Sequence, residues 1–111
     1  MGAFEALVAE ALDDLPAQVR QWLDNVAVVV EERPSTGEDL LGLYQGINRL
    51  ERDSSYHLVA PDRITIYWRP ILEEVGSGDA AAIRREVRKT IIHEVAHHFG
   101  FDDAELERLG G

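Results

Sequence analysis

The chain has no cysteine. That single absence excludes structural disulfides, thiolate zinc sites and a cysteine nucleophile, so any metal must be held by nitrogen and oxygen donors. Cations are scarce as well: 11 Lys and Arg stand against 21 Asp and Glu, a net charge of -10. A surface of that sign repels phosphate backbones and argues against general nucleic-acid binding through counterion release. No apolar run approaches the roughly 20 residues that span a bilayer. Met1 to Leu15 carries Glu5, Glu10, Asp13 and Asp14 and no Lys or Arg, the opposite of a secretory n-region. These absences lead to an expectation of a cytoplasmic protein engaging neither membrane nor nucleic acid. With 111 residues, 45% of them hydrophobic, the chain is expected to form one domain over 1–111 around one core.

Apolar residues recur at Phe4, Leu7, Val8, Ala11, Leu12 and Leu15, the spacing of an amphipathic helix. Pro16 ends it and suits the start of a short second helix carrying Val19, Trp22 and Leu23. Val26 to Val30 is a compact β-branched run, expected to be a buried strand. Arg33 to Gly37 has the composition of a loop, Leu40 to Ile47 contains a weaker strand pattern, and Asn48 to Ser55 reads as a further loop. Tyr56 to Ala60 and Ile64 to Trp68 read as a hairpin turned by Pro61-Asp62-Arg63. Ile71 to Val75 suits one helical turn before Gly76-Ser77-Gly78. Asp79 is then the expected N-cap of the longest pattern, a helix over Ala80 to Phe99 that stops at Gly100.

Three of the four histidines fall in His93-Glu94-Val95-Ala96-His97-His98 on that helix. Residues four apart on a helix lie about 40° apart in azimuth and one turn apart in height, so His93 and His97 can aim at one point. Two neutral imidazoles so placed make a pair of first-row metal ligands. Glu94 lies about 100° round from His93, beside such a metal rather than on it. A carboxylate there can take a proton from a water whose pKa the metal lowers toward about 7. With His93 at zero, Ile83, Val87, Ile91, Val95 and Phe99 occupy an arc from about 80° to 240°, the expected core stripe. Arg84 and Arg88 share that arc, so their end of the helix should project past the core or pair with surface carboxylates. Glu86 falls near the His93 azimuth two turns earlier, placed for an ion pair or for a role behind the metal.

A catalytic zinc needs a third protein ligand and one open position. Fourteen residues follow His97, so a ligand on a distant second helix is not expected, and the third donor should come from this short tail or from earlier in the chain. Gly100 can adopt positive φ and reverse the chain, carrying Asp103 back toward the histidines. Asp103 is therefore the leading third donor, with Asp102 and Glu105 as substitutes, because Asp102 to Glu105 also reads as the start of a last helix. His98 points away from His97 and is expected to be polar surface, and His57 is expected to face solvent.

The run His93-Glu94-x-x-His97-x-x-Gly100-x-x-Asp103 resembles the zincin metallopeptidases, in the form of the extended metzincin signature with aspartate as third ligand. The whole chain, including Pro61-Asp62-Arg63-Ile64-Thr65-Ile66, is similar to the small bacterial minimal zincin-like metallopeptidases. The resemblance implies one α+β zincin-like domain: a small mixed or antiparallel sheet packed on a long active-site helix, with helices N-terminal to it. It further implies Zn2+ held by His93, His97 and Asp103, Glu94 as general base, and hydrolysis of a peptide or protein substrate. An extended substrate would lie on a strand edge, for which Tyr56 to Ala60 is the choice, and Tyr67 is expected in the core rather than at an oxyanion. The chain departs from metzincins in having no methionine turn, since its only methionine is Met1. Two other readings stay open. One is a metal-dependent RNA-processing endonuclease, from which Glu94, Asp103 and the charge depart; the other is a zinc-binding or protein-interaction module without vigorous catalysis.

Overall fold

The computed structural model describes residues 2–46 and 62–100. Helices α1 (Gly2–Asp13) and α2 (Ala17–Trp22) lead into strand β1 (Val26–Glu31), followed by β2 (Gly42–Gln45) and β3 (Asp62–Tyr67). Helices α3 (Trp68–Val75) and α4 (Ala80–His98) complete the described elements. The three strands form one mixed sheet in the order β1-β3-β2, with β1 parallel and β2 antiparallel to β3. This is the α+β arrangement expected, with helices N-terminal to a small sheet and a long helix packed on it.

Periodicity explains the helices. Phe4, Val8, Ala11 and Leu15 are buried at one-turn spacing, and Val19 of α2 joins the same core. Pro16 caps α2 in an extended conformation, its carbonyl accepting from the Arg20 N–H. Along α4, Ile83, Val87, Ile91 and Val95 are buried, and Ile92 and Ala96 widen the stripe. This helix packs against α1, α3, β2 and β3. At about 1.5 Å per residue its length is about 28 Å. Arg84 lies 3.8 Å from Glu10, and the Arg88 Nε–H donates to the Asp14 carbonyl, so the basic residues of α4 fasten it to α1.

The strands depart from expectation in an instructive way. Val26 to Val30 forms β1, yet among the described residues it is an edge strand, with every one of those residues only half-buried. The strand buried on both faces is β3, where Ile64, Thr65, Ile66 and Tyr67 are all enclosed. A β-branched run favours a strand but does not say how many neighbours it will have. Asp62 and Arg63, expected in a turn, open β3, and Trp68, expected to end the strand, begins α3. That helix starts three residues before the predicted turn. Pro70 is tolerated because first-turn N–H groups have no partner within the helix. Tyr56 to Ala60, the other arm of the predicted hairpin, and the loop before it lie outside the described residues.

Both ends of α4 also refine the sequence reading. Asp79 sits at the N-cap, but its carbonyl, not its side chain, accepts from the Ile83 N–H. Phe99 is 49% exposed rather than part of the buried stripe. It falls one residue past the helix, where its ring touches Trp22 and His98 at centroid distances of 5.8 and 5.1 Å. Gly100 has φ +81, the conformation expected of a residue that turns the chain. No described helix is long and apolar enough to cross a membrane.

Candidate metal centre

His93, Glu94 and His97 occupy the last turns of α4. His93 and Glu94 are half-buried, while His97 is exposed. The two imidazoles meet edge to face with centroids 5.9 Å apart. A tetrahedral zinc bound to two ring nitrogens at about 2.0–2.1 Å would set those centroids about 5 Å apart, so a small rotamer adjustment brings the pair onto one ion. Neither ring has a hydrogen-bond partner among the described residues, which leaves its nitrogens free to donate. The donor set therefore fits zinc as two of its ligands. Among the described residues no group of three or more His, Asp or Glu side chains gathers around one point. Asp103, with its substitutes Asp102 and Glu105, lies outside them.

Glu94 is fixed from the sheet side. The main-chain N–H of Tyr44 on β2 donates to Glu94 Oε1 at 3.2 Å. The ladder explains why that amide is available. Tyr67 N–H donates to the Leu41 carbonyl and the register pairs Leu43 with Thr65, so Gly42 and Tyr44 turn their amides away from β3. Tyr44 is itself held at both ends of its side chain. Its phenol donates to Asp62 Oδ2 at 2.7 Å, and its ring stacks on His98 at 4.0 Å. His98, expected as polar surface, thus has an aromatic neighbour.

Beside the dyad runs a cleft of about 280 Å³, lined among others by Leu41, Gly42, Glu86, Thr90, His93 and Glu94. Its outer wall is the segment between β1 and β2, tied to the following helix by Arg33 to Glu73 at 2.6 Å and by Arg69 to Glu32 at 3.2 Å. The Glu73 carboxylate beside it raises the Arg33 pKa further above its ordinary value. Glu86 lines this cleft and makes no ion pair within the described residues. Tyr67 is buried, and burial raises its phenol pKa above the usual value, helped by Glu31. His57 and the predicted substrate strand Tyr56 to Ala60 lie outside the described residues. Tyr44 escapes a reading of the sequence because its amide acts through backbone position, which no residue type announces.

A three-stranded mixed sheet packed on a long helix that ends in a histidine pair is the architecture of a minimal zincin. Residues 23–111 match the family of zincin-like metallopeptidases, and the chain belongs to that family. Among solved structures it is similar to a conserved hypothetical protein from Thermo thermophilus, with 26% identity and a TM-score of 0.56. That similarity covers 89% of this chain and 92% of the other. No curated protein sequence matches.

Proposed function

We propose that the chain is a zinc-dependent metallopeptidase in which Glu94 is the general base. The reading is supported most directly by the position of the Glu94 carboxylate, hydrogen-bonded to a strand amide beside the His93 imidazole at the mouth of a cleft. Family membership and the one-turn spacing of His93 and His97 support it as well. These two imidazoles would hold the ion, with Asp103 as the third ligand. When bound, zinc supplies Lewis-acid polarisation of the scissile carbonyl and a lowered pKa for the attacking water.

The chain's own groups do the rest. Glu94 takes a proton as water oxygen bonds to the carbonyl carbon, then gives it to the amine nitrogen as the C–N bond breaks. The Tyr44 amide orients the carboxylate without competing for that proton, since it only donates. A peptide is the proposed substrate, because β2, whose Gly42 lines the cleft, is an edge strand among the described residues. A polynucleotide would meet the repulsion of a chain with a net charge of -10. Glu94→Gln should retain zinc and lower peptide turnover by about 10²- to 10⁴-fold. Unchanged cleavage of a peptide library by that variant would refute the assignment of the base. A wild-type protein that binds zinc and cleaves nothing would favour the interaction-module reading instead.

A further inference from the structure

The contact between Tyr44 and Glu94 depends on how closely β2 approaches α4, and at Gly42 that approach leaves no room for a side chain. A Cβ at this position would lie 2.7 Å from Thr90 Cγ2, 3.2 Å from the Thr65 carbonyl oxygen and 3.5 Å from Ile66 Cδ1. Gly42 is not among the positive-φ glycines, so space rather than backbone conformation is what demands glycine here. Thr90 cannot readily move aside. It is buried, and its hydroxyl donates to the Glu86 carbonyl at 2.8 Å, which fixes the rotamer that aims Cγ2 at the strand. β2 cannot yield one residue at a time either, because it is laddered to β3 on its inner side.

We propose that Gly42 is a positioning residue for Glu94: its missing side chain seats β2 on α4 at Thr90, and this seating brings the Tyr44 amide to the carboxylate. Carbon atoms pack at about 3.5–4.0 Å, so an alanine at 42 must push strand and helix apart by about 1 Å. The Tyr44 to Glu94 hydrogen bond, already 3.2 Å long, does not survive a displacement of that size two residues further along. Its significance for turnover rests on Glu94 being the base, whereas the geometric claim stands apart from it.

The test uses Gly42→Ala, Thr90→Ser and their combination, because serine keeps the Oγ bond to Glu86 and removes the obstructing methyl. The first readout is independent of activity. In the wild-type chain, Glu94→Gln should shift the NMR resonance of the Tyr44 amide proton; in Gly42→Ala that response should vanish, and in the double variant it should return. The second readout is peptide turnover. Gly42→Ala should lower kcat by about 10-fold or more, with the double variant recovering most of the loss. If Gly42→Ala does not fold, the folded double variant with its restored Tyr44 response supports the contact, and a double variant that also fails overturns it. A Tyr44 response that persists in Gly42→Ala overturns the proposal, as does a kcat that does not fall or one that Thr90→Ser does not rescue. Should the wild-type protein cleave no peptide, the enzymatic reading fails while the amide response still decides the role of Gly42.

Discussion

Ile91 and Phe99 lie on one helical arc by sequence, but the structure encloses Ile91 completely and leaves Phe99 49% exposed. Truncating each to alanine should therefore give unequal losses. Ile91→Ala removes three carbons at about 0.8 kcal/mol each, close to 2.4 kcal/mol of transfer free energy. The cavity left in the core that Ile91 shares with Ile64, Ile66, Val87 and Val95 adds to that, while the better helix propensity of alanine subtracts a few tenths. A net loss of about 3 kcal/mol follows, a large share of the roughly 5–15 kcal/mol that holds a domain folded. At about 4 °C per kcal/mol, the melting midpoint should drop by roughly 12 °C. Among the described residues, Phe99→Ala removes ring contacts with Trp22 and His98, and it should cost about 1 kcal/mol. Urea unfolding followed by far-ultraviolet circular dichroism measures both. Equal losses, or a larger one for Phe99, would refute the placement of the core on α4.

Tyr44→Phe deletes the phenol bond to Asp62 and should lower stability by about 1 kcal/mol, read as a shift of the urea midpoint; an unmoved midpoint contradicts that bond. Tyr67 gives a pH signature. Its phenol is raised above the ordinary value of 10.0 by burial, so the unfolded chain ionises first as pH climbs. The stability it contributes is present below about pH 10 and is lost as pH rises through the folded value. Tyr67→Phe should flatten the loss of stability above about pH 10, and an identical slope in the variant would count against a buried phenol.

How much of this was legible depends on whether side-chain type or backbone position carried the information. The stripe Ile83, Val87, Ile91, Val95 and the pairing of Arg84 with a surface carboxylate followed from spacing alone, because a helix repeats every 3.6 residues whatever its neighbours. The closeness of His93 and His97, one turn apart on α4, was legible for the same reason. Strand placement was not. Val26 to Val30 and Ile64 to Tyr67 look alike in composition, and only the pairing of β3 on both sides makes the second of them the centre of the sheet. Phe99 fitted the arc but fell beyond the last helical turn, where azimuth no longer fixes burial. The grip of Tyr44 on Glu94 and the close pass of Gly42 over Thr90 left no mark in the sequence, since an amide is common to nearly every residue and a glycine has several uses. The third-ligand expectation, Asp103, lies outside the described residues and is carried only by its spacing from the motif.

Whether His93 and His97 jointly hold a metal ion beside Glu94 decides more than any other question about this chain. Elemental analysis of the zinc-loaded, dialysed protein next to its His93→Ala variant tests it directly. About one equivalent of zinc per wild-type chain and essentially none in the variant is the predicted result. Equal zinc in both proteins, or no zinc in the wild-type chain under any loading condition, would contradict it.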